Sequence, residues 1–286
     1  MSEGSGMNEF AKKYPNKFFD VAIAEQHSMT FAAGLAKSRK KPILAIYSTF
    51  LQRAYDQLIH DVAIQKLDVT LAIDRAGFVG GDGATHAGIF DVSFLRCIPN
   101  MVIMSPSDEN ECWKMLTTAY EYAGPAAVRY PRGEGPGVEI NTNFDSIDIG
   151  KARILREEDS DIVIFSFGNM LSLSEEVANE LQCSLVDMRF IKPLDETLIE
   201  KCAKKYKHLI SIEENVISGG AGSAISEFLS KLGCSEKLKI IGIPDEFPIV
   251  GSQEDQREAA GLTKEEIMSQ LNTDLNLKNI NKEISA

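Results

Sequence analysis

Short apolar runs alternate with longer amphipathic stretches along almost the whole chain, and this change of period restricts the fold more than any single motif. Runs of strand length separated by helical periodicity read as βαβ units, whose sheets are parallel and covered by helices on both faces. Apparent strands fall at residues 18–24, 42–47, 69–73, 101–104 and 126–130, with helices expected over 28–37, 49–66 and 108–122. In the second of these helices Leu51, Tyr55, Leu58 and Val62 share one face at a period of 3.6 residues. Between Gly133 and about Ile149 the pattern dissolves into Gly, Pro, Asn and acidic residues, as an interdomain linker does. A second alternation follows, with strands at 161–166, 184–187, 209–212 and 239–243 and helices at 172–181, 196–206 and 221–232, then a polar helical tail from Ser252. The expected fold is α/β: two doubly wound domains with mostly parallel sheets, residues 1–148 and 149–286.

Composition narrows the function classes. A net charge of −12 argues against sequence-independent nucleic-acid binding and against an anionic membrane surface. It leaves room for a small anionic ligand held by a few converging arginines. Five cysteines, at 97, 112, 183, 202 and 234, show no CxxC spacing and read as reduced thiols of a cytosolic protein. No run approaches the ~18 apolar residues of a membrane span. The start lacks the basic region and apolar core of a secretory signal, and residues 1–7 read as a flexible lead-in.

In parallel sheets ligands bind beyond the carboxyl ends of the strands. Reading off those ends collects Glu25, Gln26 and His27, then Tyr47 and Ser48, Asp74 and Arg75, Ser105, and Arg129 with Arg132; Arg53 lies one turn into the second helix. Glu25 closes an apolar run. A carboxyl there is expected to be poorly solvated, which favours its neutral form and suits acid–base work near neutral pH. The stretch Arg75-Ala-Gly-Phe-Val-Gly-Gly-Asp-Gly-Ala-Thr-His-Ala-Gly is long for a strand-to-helix connection. Its glycines permit close backbone approach to a ligand, and it carries one anion, Asp82, and one proton-exchanging group, His86. Gly81-Asp82-Gly83 followed by Asn110 imitates the GDG…N pattern that holds Mg²⁺ and a diphosphate in thiamine diphosphate enzymes. Asn110 falls in the first turn of an expected helix, however, so no metal ligand is assigned to this chain. Gly219-Gly220-Ala221-Gly222 opens a helix and could hold an anion, and Arg189, Lys192 and Asp195 read as a domain-packing loop.

Long strings of residues then resemble one family. FFDVAIAEQH…TFAAGLA, KPILAIYSTFLQRAYDQLIHDVAIQKLDV, LAIDRAGFVGGDGATHAGIFD, SPSDENE and VRYPRG look like the 1-deoxy-D-xylulose-5-phosphate synthase family of the transketolase-like thiamine diphosphate superfamily; DMRFIKPLD and IEEN extend the likeness through the second half. The resemblance covers the second and third domains of a three-domain enzyme. It implies that the first domain, with the genuine GDG…N motif and the Mg²⁺ ligands, is missing, and that the chain is truncated or one half of a split protein. It further implies that Glu25 hydrogen-bonds N1′ of the thiamine diphosphate aminopyrimidine, favouring the imino tautomer, and that Phe50, Ile23 and Arg53 surround that ring. Tyr47, Arg75 and Arg132 would hold a phosphate or carboxylate, and Asp82 and His86 would contact substrate hydroxyls, His86 handling protons. The implied reaction is that of a transketolase-type transferase: it joins pyruvate to D-glyceraldehyde 3-phosphate, releases CO₂ and gives 1-deoxy-D-xylulose 5-phosphate for isoprenoid, thiamine and pyridoxal synthesis. A cytoplasmic homodimer, with a possible separate N-terminal chain, is the implied setting. A β-type half of a 2-oxo acid dehydrogenase E1, a transketolase half, and an inactive dimerising fragment are the competing readings.

Overall fold

The computed structural model describes residues 4–275. Its strands, in chain order, are β1 (Ile43–Tyr47), β2 (Thr70–Asp74), β3 (Val102–Met104), β4 (Ala126–Arg129), β5 (Arg153–Arg156), β6 (Ile162–Ser166), β7 (Ser184–Asp187), β8 (Phe190–Lys192), β9 (His208–Val216) and β10 (Leu238–Ile243). They form two five-stranded sheets ordered β1-β2-β4-β3-β8 and β10-β9-β6-β7-β5. Each is parallel except for one antiparallel edge strand, β8 on β3 and β5 on β7. Strands such as β2 (TLAID) and β6 (IVIFS) are apolar almost throughout, because helices cover both faces of the sheet. The architecture is therefore the two-domain, mostly parallel α/β fold that the alternation implies.

The two units share their interior. One apolar cluster joins Leu51, Leu71 and Ile103 of the first to Phe165, Val186 and Leu229 of the second. Another seats Phe78, Val79 and Ala87 from the glycine-rich stretch, with Ile89 just beyond it, against Ile164, Ile212 and Ile241 of the second sheet. Buried ions reinforce this seam. Arg129 Nε donates to Asp91 Oδ2 at 2.9 Å and Nη2 to the Glu214 carbonyl at 3.3 Å, while Arg257 Nε meets the fully buried Glu214 carboxylate at 2.7 Å. The loop of Arg189, Lys192 and Asp195 belongs here too. Arg189 donates to Glu111 at 2.9 Å, and Lys192 Nζ donates to the carbonyls of Arg96 and Ile98 at 2.9 and 2.6 Å.

Two expectations are corrected. Residues 18–24 form no strand: Asp20 Oδ1 accepts the Ala22 N–H at 2.8 Å, and Ala22 adopts φ 56°, which breaks an extended run. Phe19 and Ile23 in that run are 57% and 73% exposed, so its apolar character marks a surface rather than a sheet interior. The helix expected over 49–66 is instead a chain of short turns, Ser48–Leu51, Gln52–Ala54 and Tyr55–Gln57, ending in a π-turn at Leu58–Ala63. Its apolar face survives, with Leu51, Leu58 and Val62 fully buried. In the lead-in, Gly4 lies against Tyr47 and its carbonyl accepts from Arg75 Nη1 at 3.2 Å, while residues 1–3 lie outside the described residues. Among the described residues, no helix is long and apolar enough to cross a membrane.

Candidate active site

Glu25 is the first residue of the helix Glu25–Lys37, which starts after Ala24 with no side-chain cap. Its carboxylate is 12% exposed and meets Arg53 Nη1 at 3.3 Å. Ile23, Ala24, Glu25, Gln26, His27 and Arg53 border a recess of about 420 Å³. Gln26 and His27 are largely exposed, and the His27 ring lies parallel to Phe31 at 5.9 Å.

From the recess the contacts run inward along β1. The Arg53 guanidinium carbon lies 5.2 Å from the centre of the Phe50 ring, the third residue beyond β1. Phe50 stacks on Tyr47 at 5.4 Å and 14° and meets the His86 ring edge-on at 5.5 Å. Tyr47 in turn lies under the Arg75 guanidinium, 3.8 Å away. One connected surface thus carries Glu25, Arg53, Phe50, Tyr47, His86 and Arg75. The π-turn that follows Arg53 is a feature frequently found at functional sites.

Asp74, at the carboxyl end of β2, sets Arg75. Its Oδ1 accepts the Arg75 N–H at 2.7 Å and its Oδ2 meets Nη1 at 2.5 Å, while Arg75 holds φ 58°. A left-handed arginine costs about 1–2 kcal/mol, so the two bonds to Asp74 are what hold it there. Burial pushes the Asp74 carboxyl above its ordinary pKa, with Arg75 pulling the other way. Burial likewise raises the Tyr47 phenol, and Arg75 and Arg132 oppose it. Arg132, beyond β4, donates to the Val79 carbonyl at 2.5 Å and lies 3.6 Å from Asp82 Oδ2. His86 Nδ1 shares a hydrogen bond with Thr85 Oγ1 at 3.0 Å.

The glycine-rich stretch is pinned, not loose. Gly77 and Gly88 exchange backbone hydrogen bonds of 2.7 and 2.8 Å, and Gly80–Asp82 forms one 3₁₀ turn. The second unit holds that turn through Gln253 and Gln256 of the helix Gln253–Ala259. Sequence reading missed both glutamines. The Ser252…Asp255 capping box marks the start of their helix but not where it docks. The other weak motifs are occupied internally: Asn110 Oδ1 accepts from the Asn141 N–H at 3.0 Å, and the N–H groups of Ala221 and Gly222 donate to the Glu213 carboxylate at 2.7 and 2.8 Å.

A shielded carboxylate on a recess of mixed polar and apolar lining, which Arg53 joins to the Phe50 ring, fits a flat, hydrogen-bonding heterocycle such as an aminopyrimidine. Comparison with known proteins places the chain in a family. The transketolase pyrimidine-binding domain model matches residues 1–137 and the transketolase C-terminal domain model matches residues 150–267. A solved structure of a split gene transketolase, described as an inactive β4 tetramer, superposes with a TM-score of 0.83 at 30% identity, covering 94% of this chain and 88% of that one. The chain belongs to the transketolase family. Within this family it is 54% identical over 280 residues to 1-deoxy-D-xylulose-5-phosphate synthase of Hahella chejuensis, covering 98% of this chain, and 58% identical over 271 residues to that of Hamiltonella defensa, covering 95%. The transketolase-family chain spans 43% of the length of each of those two relatives.

Proposed function

We propose that the chain is the pyrimidine-side half of a thiamine diphosphate enzyme that joins pyruvate to D-glyceraldehyde 3-phosphate, giving 1-deoxy-D-xylulose 5-phosphate and CO₂. A polypeptide equivalent to the rest of the relatives' length completes it and supplies the diphosphate and Mg²⁺ contacts. Among the described residues, no group of three or more His, Cys, Asp or Glu is arranged to hold a metal ion. The observation that carries the reading is the Glu25 carboxylate, 12% exposed, on the recess that Arg53 links to Phe50.

When bound, thiamine diphosphate supplies the nucleophilic carbon and the electron sink for decarboxylation. Glu25 holds a proton at N1′ of the aminopyrimidine, with Ile23, Phe50 and Arg53 bordering that ring. Tyr47, Arg75 and Arg132 bind the carboxylate of pyruvate or the phosphate of the aldehyde, for which planar guanidinium forks are suited. Asp82 and His86 orient the aldehyde hydroxyls, and His86 passes protons near neutrality. The identities of the relatives favour this substrate pair over those of a 2-oxo acid dehydrogenase E1 half. The split transketolase, described as inactive, supports the view that this chain is inactive alone. A homodimer working in the cytoplasm is the proposed setting.

The test mixes the chain with the remaining segment of a relative, thiamine diphosphate, Mg²⁺, pyruvate and glyceraldehyde 3-phosphate. Product is expected from the mixture and not from either part, and Glu25→Ala should lower turnover at least a hundredfold, the scale of general acid–base contributions. Full turnover by Glu25→Ala, or no product where an intact relative succeeds, would refute the proposal.

A further inference from the structure

The helix Gln253–Ala259 belongs to the second unit, yet two of its side chains grip the turn that carries Asp82. Gln256 is 1% exposed, and its amide makes three hydrogen bonds, with both N–H donors used. Its Oε1 accepts the Gly80 N–H at 2.8 Å, and its Nε2 donates to the carbonyls of Gly80 at 3.1 Å and Ile249 at 2.8 Å. Gln253 Nε2 donates to the Phe78 carbonyl at 2.7 Å and to the Arg132 carbonyl at 3.4 Å. Between Phe78 and Gly80 lies Val79, whose carbonyl receives the Arg132 guanidinium at 2.5 Å. Gly80 holds φ 68° and lies in ordinary contact range of both partners: a β-carbon there would sit 3.5 Å from the Gln253 backbone nitrogen and 3.7 Å from Arg132 Nη1.

We infer that Gln256 and Gln253 are positioning residues: across the seam they fix the Phe78–Gly80 turn, and with it the guanidinium of Arg132, so the second unit sets the anion affinity of the first. A methionine or leucine would fill the volume of Gln256 equally well. What the amide adds is a fixed rotation and register for the backbone of Gly80, because both of its ends are bonded there. A substrate phosphate then meets an arginine already oriented by the Val79 carbonyl rather than one free to swing.

The inference rests on the reading of Arg132 as an anion contact, and the experiment separates the two. Inorganic phosphate is titrated calorimetrically into the full chain and into Gln256→Met, Gln253→Ala, Arg132→Ala and Leu271→Ala. Leu271 is fully buried on the helix Lys264–Asp274, in the same apolar cluster as Phe78 and Val79, so its truncation lowers stability while leaving both glutamines in place. The expected result is a roughly tenfold weaker phosphate Kd in Gln256→Met, a smaller loss in Gln253→Ala, and no change in Leu271→Ala despite its lower melting temperature. Should Gln256→Met fail to fold, Gln253→Ala decides. Parent-like affinity in the folded glutamine variants overturns the positioning role while leaving Arg132 as the anion contact. Equal weakening by Leu271→Ala also overturns it, since general loosening would then account for the effect. No phosphate binding by the parent chain, or unchanged binding by Arg132→Ala, removes the anion site and the inference together.

Discussion

Gly88→Ala should damage both stability and the site, through contacts that can be counted. A β-carbon at Gly88 would lie 2.0 Å from the Arg75 carbonyl oxygen and 2.7 Å from Ser48 Cβ. The first neighbour is backbone, held by the left-handed Arg75 and its bonds to Asp74, so it cannot step aside as a flexible side-chain end would. Relief requires the isolated bridge to part, breaking the 2.7 and 2.8 Å bonds between Gly77 and Gly88. Overpacking costs about 1–3 kcal/mol. Two lost backbone bonds at about 1 kcal/mol each bring the expected loss to roughly 3–5 kcal/mol. Gly34→Ala is the matched control. Gly34 lies within the helix Glu25–Lys37 with nothing within 4 Å of the added carbon, so alanine there should stabilise by about 0.5–1 kcal/mol. Urea unfolding of the three proteins, followed by far-ultraviolet circular dichroism, measures both shifts. A Gly88→Ala midpoint within 1 kcal/mol of the parent would refute the argument that this contact is rigid.

Two further outcomes follow from buried charges. Arg129→Met leaves Asp91, fully buried, without its cation and should cost about 3–5 kcal/mol; Arg129→Met with Asp91→Leu should recover much of that in urea unfolding, and a double variant no more stable than the single one counts against the pairing. Burial pushes Glu213 up to about 7, above its ordinary 4.5, even though Ala221 and Gly222 donate to its charged form. A carboxyl raised on folding contributes stability that is complete below its unfolded pKa and is lost as pH rises through the folded one. The parent should therefore weaken relative to Glu213→Gln between about pH 4.5 and 7, and parallel pH–stability curves for the two would contradict the assignment.

Much of the fold was legible because burial on both sheet faces writes itself as apolar runs. The strand expected at 184–187 forms there, β4 and β6 differ from expectation by one residue at one end, and β2 and the helix Glu109–Glu121 by one residue at each end. The segment 18–24 failed for the same reason: an apolar run bordering an open recess has the composition of a buried strand, and periodicity does not distinguish them. The charged rim was also legible, since Tyr47, Arg75 and Arg132 follow strands that the alternation exposes. Asp74 was visible as a rim residue, but its grip on Arg75 was not, because a left-handed arginine leaves no mark on composition. β5 and β8 went unread: each is short, edge-bound and antiparallel, with too few residues to show a period.

The order of apolar and amphipathic segments by itself determined two α/β units and the end of each sheet at which polar chemistry collects, because side-chain burial depends on local period. Only the tertiary structure decided that β8 would complete the sheet of the other unit and that Gln253 and Gln256 would hold a turn more than 170 positions earlier. Those contacts join surfaces whose complementarity exists only after both units have folded, and no local pattern records a hydrogen bond to a distant backbone.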